Sequence, residues 1–427
     1  MDERRFIPAR KLKQNETVSE SFKKSILDNG IKIISDEVAN VESFSLGISI
    51  DVGSADDPVG LSGLAHFLEH AVFRRTKNKT TRQIASSFES VGAYTNAFTT
   101  KELTCFYVRA LKPHFVKSFN LLAELVLKPV FVQKEFETEK LVITEEIKSY
   151  EDDPEDLIFD SVESLIFKEH PYGMPITGTR ESISRITLDD LANFHNKNYL
   201  SNNIVIASAG NLSHERLVSR ASILFEKLPV RYLQDSKPIP VQKEKVINIE
   251  NKPFTQAHLL LARQVPGLRS EERYPLAALS VLLGEGMSSR LYQQIREMRG
   301  LAYSVDSSLQ MFADTGIFII YAALEEKNVV KAEKLVEKEL KKIIDKKISA
   351  AEINRAKQQL TSDLVMSMES MSNRMQSSIK SELIYGRQEK MAEKITALKN
   401  LSLDSIKECA EKYLDIKQWN KILYLPE

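Results

Sequence analysis

The sequence predicts an α+β protein made of two halves of similar fold, and three observations lead there. The chain of 427 residues is too long for one comfortable core. Strand-like runs that alternate in hydrophobicity stand beside amphipathic helical runs along the chain. One pattern also recurs. Phe106-Tyr-Val-Arg-Ala-Leu111, a helix, then Glu135 and Lys140 has a counterpart in Phe318-Ile-Ile-Tyr-Ala-Ala323, a helix, then Glu352 and Lys357, at offsets of 212 and 217 residues. Residues 228–240 carry three prolines in polar company and read as a linker. The expected division is residues 1–228, a linker at 229–245, and residues 246–427.

In chain order, residues 30–35 and 44–52 alternate as strands ahead of a helix within 61–73. Thr80 or Thr81 can cap a second helix ending at Gly92. Residues 94–100 and 104–110 are β-rich, and Pro113 opens a helix to about Leu127. A long helix from about Gln133 to Tyr150 stops ahead of Pro154, and residues 203–210 read as a buried strand.

Composition narrows the function. Hydrophobic residues make up 42% and charged residues 28%, as in ordinary globular proteins. Lys plus Arg and Asp plus Glu both number 59, so no global field draws nucleic acid or acidic lipid. Cys105 and Cys409 cannot build a disulfide framework or a zinc cluster, and read as buried thiols of a reducing compartment. The first ten residues lack the apolar run of a secretory signal, and no stretch reaches membrane-spanning length. A cytoplasmic protein with neither nucleic-acid nor membrane partners is the expectation.

The stretch that carries chemistry is His66-Phe67-Leu68-Glu69-His70. On a helix, His66 and His70 lie one turn apart on one face, while Leu64, Phe67, Leu68 and Ala71 form the apolar stripe. Two neutral imidazoles so placed reach one Zn²⁺, and Glu69 beside them can take a proton from zinc-bound water. This His-x-x-Glu-His order reverses the commoner zinc-protease motif. A catalytic zinc takes a third protein ligand. On the 133–150 helix, Phe136, Ile143, Ile147 and Tyr150 form the expected buried stripe, and Glu145 points away from it. Glu139 and Glu146 share one rim of that stripe, half-buried, which makes Glu146 the better ligand and Glu139 a supporting group. Glu135, Glu137 and Glu145 read as surface charges. His114, His195, His214 and His258 lack ligand-like spacing.

His66-x-x-Glu69-His70 with Glu146 following 76 residues after His70 resembles the M16 metallopeptidases, among them mitochondrial processing peptidase, pitrilysin and insulin-degrading enzyme. The likeness runs from Gly30 to about Arg374 and is of the short-chain processing-peptidase type, M16B. It implies two homologous α/β-sandwich-like halves, each a mostly antiparallel sheet packed with helices, an architecture also described as LuxS-like. It further implies one zinc per chain on His66, His70 and Glu146, Glu69 as general base, and Glu139 orienting the site. Asn96-Ala97-Phe98-Thr99 resembles the family's substrate-binding edge strand, to which an extended peptide adds as a further strand. Arg296 and Tyr303, in the second half, are similar to the Arg/Tyr pair that reaches bound peptide and suits a developing oxyanion. Glu102 and His170 also match family positions.

The resemblance implies a zinc endopeptidase acting on short or unfolded peptides in a clamshell chamber. A homodimer is the expected assembly, a heterodimer its alternative. The rival reading is a non-catalytic or partner-dependent scaffold subunit of an M16-type hetero-oligomer.

Overall fold

The computed structural model describes residues 22–230, 241–242, 245–345 and 347–427. Most of the expected linker falls outside these. The first half supplies strands β1 (Phe22–Ile26), β2 (Lys32–Glu37), β3 (Ser43–Ile50), β4 (Tyr94–Thr99), β5 (Thr104–Leu111) and β6 (Ile204–Gly210). They form one sheet in the order β1-β2-β6-β3-β5-β4, antiparallel except for the β2/β6 pair. The second half supplies β7 (Ile247–Lys252), β8 (Ala257–Pro266), β9 (Ala302–Met311), β10 (Thr315–Leu324) and β11 (Asn420–Pro426). Their order is β7-β11-β8-β10-β9, again with one parallel pair, β7/β11. Removing β1 from the first sheet leaves the connectivity of the second.

The helices of the first half are α1 (Leu64–Val72), α2 (Thr81–Glu89), α3 (Phe115–Leu127), α4 (Gln133–Asp152), α5 (Pro154–Ile166), α6 (Arg180–Arg185), α7 (Leu188–Asn198) and α8 (His214–Phe225). Those of the second are α9 (Arg273–Leu283), α10 (Val329–Ile344), α11 (Ala350–Ser367), α12 (Met371–Tyr385), α13 (Met391–Lys399) and α14 (Leu403–Tyr413). Thr80 caps α2 with Gln83 reciprocating, but the helix stops at Glu89, three residues short of Gly92. The 133–150 expectation is α4, with Phe136, Ile143 and Ile147 buried; Tyr150 departs from it, 39% exposed near the helix end.

The duplication has a chemical signature. Arg75 pairs with Glu135 at 2.6 Å, and Arg290 pairs with Glu352 at 2.8 Å. Lys140 then donates to the Ser184 and Ile186 carbonyls, and Lys357 to that of Lys399. Glu135 is therefore a structural ion-pair partner, a correction to its reading as a solvated charge.

Each sheet packs one face on its own helices. Phe67 and Leu68 of α1 and Phe119 of α3 share the first core with Leu46, Ile48 and Phe106. The opposite faces are covered by exchange. Met375 and Ile379 of α12 lie on Ile34, Val205 and Ala207 of the first sheet. Ile158, Val162 and Ile166 of α5 lie on Leu260, Ile319 and Ile422 of the second. Arg374 fixes the first exchange, holding buried Asp36 through bonds of 2.6 and 3.0 Å. Among the described residues no helix is long and apolar enough to cross a membrane.

Candidate metal centre

Helix α1 begins after Gly63, whose φ of +92° is a left-handed conformation that glycine adopts without strain. Asp57 accepts from the Gly63 and Ala65 amides at 2.7 and 2.8 Å, satisfying donors that a helix start leaves free. Leu64, Phe67 and Leu68 are buried, so the helix is locked by its apolar face and presents His66, Glu69 and His70 along the other side. Phe67 stacks on Phe136 of α4 at 4.9 Å, which holds the two site helices together.

His66 Nε2 lies 3.8 Å from one Glu146 oxygen and His70 Nε2 lies 3.7 Å from the other. One donor atom from each of the three residues falls within 4.8 Å of the others. With ligand bonds near 2.0–2.1 Å, a tetrahedral zinc sets its donors about 3.4 Å apart, so a small side-chain shift closes this set on the ion. Two imidazoles and a carboxylate also match zinc in chemistry. The residues fit the metal.

The two imidazoles sit in different electrostatic environments. Glu139 is only 4% exposed, more deeply buried than a half-buried rim position, and accepts from His70 Nδ1 at 2.9 Å. That bond leaves His70 Nε2 to face Glu146 and sets its tautomer. Arg74 donates to the other Glu139 oxygen. Burial resists charge on His70, yet Glu139, Glu146 and Glu69 together raise its pKa above 6.5. Burial also opposes ionisation of Glu139, but the His70 and Arg74 contacts outweigh it and hold its pKa low. His66 has no hydrogen-bonded partner at its buried Nδ1, and burial plus the neighbouring His70 outweigh the pull of Glu139 and push its pKa to about 3. It stays neutral, the form that binds metal.

Glu69 is 9% exposed, and its Oε2 accepts from the Thr99 hydroxyl at 2.5 Å. Burial raises its pKa against the lowering effects of Thr99 and His70. A carboxylate drawn towards neutrality is better matched to moving a proton near neutral pH.

Asn96, Ala97 and Phe98 lie on β4, an edge strand bonded on one side to β5 and ending at Thr99 beside Glu69. Arg296 and Tyr303 stand together, the guanidinium 5.4 Å from the Tyr303 ring and 5.0 Å from that of Tyr292. Tyr303 is 76% exposed, and among the described residues no hydrogen bond, ion pair or ring contact joins this pair to His66, His70 or Glu146. One chain thus gathers His66, His70, Glu146, Glu69 and the end of the edge strand β4. Glu145 is exposed, as expected. His195, His214 and His258 bond to Val126, to Ser25 and Ser35, and to Tyr321, and are structural.

Two contributors, Arg74 and Asp57, have no place in the sequence reading, and Thr99 enters it only as the end of the edge-strand motif, not as a partner of Glu69. Arg74 acts only through tertiary contacts. Asp57 carried a faint signal, a carboxylate ahead of a Gly-bearing helix start.

Fold and donor set define the class: a duplicated α+β chain with one inverted His-x-x-Glu-His motif, confined to its first half. The chain belongs to peptidase family M16. The family model described as insulinase (peptidase family M16) matches residues 32–180, and the M16 inactive domain matches residues 185–360. An uncharacterized zinc protease of Mycobacterium leprae is 33% identical over 396 residues, covering 92% of this chain and 89% of its own. One of Bacillus subtilis is 32% identical over 390 residues, covering 90% and 94%. Among solved structures, a protease from Helicobacter pylori superposes with a TM-score of 0.87 at 23% identity, over 96% of this chain and all of its own. At that identity the likeness shows the fold: two α+β halves, as expected from the sequence.

Proposed function

We propose that this chain is a zinc endopeptidase of the processing-peptidase branch, M16B, cutting short or unfolded peptides inside a closed chamber. The observation that supports it most is the meeting of His66, His70 and Glu146 next to a buried Glu69 whose second oxygen remains free of Thr99.

His66, His70 and Glu146 would hold one zinc per chain, which would supply Lewis acidity to a peptide carbonyl and make a water more acidic. Glu69 accepts a proton from a water whose oxygen attacks the carbonyl carbon, then gives that proton to the amine nitrogen as the C–N bond breaks. Glu139 keeps the His70 ring oriented throughout. The open side of β4 at Asn96, Ala97 and Phe98 offers backbone groups to an extended peptide, which suits unfolded substrates and requires little sequence preference. Arg296 and Tyr303 suit a peptide carbonyl or developing oxyanion. The assembly proposed to bring them to the metal set is a homodimer, with a heterodimer as its alternative. Units at 1–228 and 246–427, joined by 229–245, then form its walls.

The purified, zinc-loaded protein should fragment a mixed peptide pool, read by mass spectrometry, while leaving a compact folded domain intact. A zinc-loaded protein that cuts nothing would instead favour the scaffold-subunit reading.

A further inference from the structure

The second half carries no His-x-x-Glu-His, yet it touches the turn that ends beside the base. Thr99 closes β4, paired in register with Thr104 of β5. Residues 100–103 turn tightly: the Thr100 amide donates to the Leu103 carbonyl at 2.8 Å, and the Thr100 hydroxyl oxygen accepts from the Glu102 and Leu103 amides at 3.2 and 3.0 Å. The segment entering α1 grips the same turn, with the Ser54 and Ala55 amides donating to the Thr100 and Lys101 carbonyls, both at 2.9 Å. This approach is close enough that a Cβ on Gly53 would stand 2.4 Å from the Thr100 oxygen.

Two side chains of the turn then reach outward. Lys101, 3% exposed, meets Glu163 of α5 at 2.7 Å, and Glu163 also accepts from Gln310 of β9. Glu102 accepts from the Ala313 amide on both oxygens, at 3.0 and 3.2 Å, and from the Tyr172 hydroxyl at 2.8 Å. Gln310 and Ala313 belong to the β9–β10 hairpin of the second half. Consecutive residues therefore link that hairpin to Thr99, and Thr99 to Glu69.

We propose that Thr99 is a positioning residue for the base Glu69, and that the second half braces it through Glu102 and Lys101. The proposal rests on the peptidase reading and adds a task for the half that lacks the motif. The Thr99 hydroxyl occupies Oε2, which fixes the carboxylate plane and leaves Oε1 to take the proton. A carboxylate freed to rotate meets the attacking water in the wrong geometry for part of the time, and misplacement on this scale costs up to about a hundredfold.

The test is steady-state peptide cleavage by the full-length protein with zinc content and melting temperature measured alongside. Thr99→Val keeps the shape and removes the donor; it should lower kcat by about ten- to a hundredfold with KM, zinc and stability held. Thr99→Ser should restore kcat to within about threefold of the parent. Glu102→Ala should lower kcat in the parent background but change it less than about twofold on top of Thr99→Val, because both act through one contact. Thr99→Val with parental kcat, or Glu102→Ala and Thr99→Val effects that simply multiply, overturns the proposal while the peptidase reading stands. A zinc-loaded parent that cuts no peptide overturns both.

Discussion

Replacing Glu139 with glutamine removes one negative charge from a buried position and keeps the side chain's shape. The carboxylate sits 2.9 Å from His70 Nδ1 and also meets Arg74. An outer carboxylate that orients a ligating imidazole is worth about 10–100-fold in metal affinity, or about 1.4–2.7 kcal/mol. The pH dependence separates this account from general damage. Burial works against charge on His70, but Glu139 leads the groups that raise its pKa above 6.5. Zinc requires the neutral ring, so in the parent protons compete with zinc from above that value downward. His66, held near 3, adds no competition over this range. Glu139→Gln weakens the upward push, so the variant's His70 stays neutral to lower pH. The ratio of variant to parent Kd, read by chelator competition, should be about 10–100 near pH 8 and narrow towards pH 6. A ratio below about 3, or one constant across that range, would refute the reasoning.

The exchanged helices make a further prediction about stability. Asp36→Ala strands the buried Arg374 guanidinium and should cost about 3–5 kcal/mol in chemical denaturation, whereas a matched apolar pair at both positions should recover most of it. Separating residues 1–228 from 246–427 should leave each with an uncovered sheet face, since α5 and α12 sit on the opposite half; the pieces should restore a native fold only when mixed, read by circular dichroism.

What was legible in the sequence is what depends on local periodicity. The i, i+4 spacing put His66 and His70 on one face, and the phase of α4 singled out Glu146 and Glu139 from five glutamates. The same phase understated Glu139, because the burial of a rim position depends on what packs over it, here Arg74 and His70. It overstated Tyr150, whose neighbours run out at the helix end. The duplication was visible through Glu135, Lys140, Glu352 and Lys357, but their arginine partners lie 60 and 62 residues away in sequence and carry no local signal. Thr99 and Glu102 stand out in the sequence only as matches to family positions, and their roles, like that of Lys101, were illegible for the same reason. Their roles are bonds to residues 30, 62 and 211 positions distant. Helix exchange leaves no periodic trace, since an apolar face looks the same whichever sheet it covers.

The central claim is that Glu69 moves the proton while His66, His70 and Glu146 hold the metal. Its most direct measurement is peptide hydrolysis by Glu69→Gln beside the parent, each with zinc quantified. The account predicts one zinc in both and a fall of about 10²–10⁴-fold in kcat for the variant. A zinc-loaded Glu69→Gln protein that cuts peptides at the parental rate would contradict it.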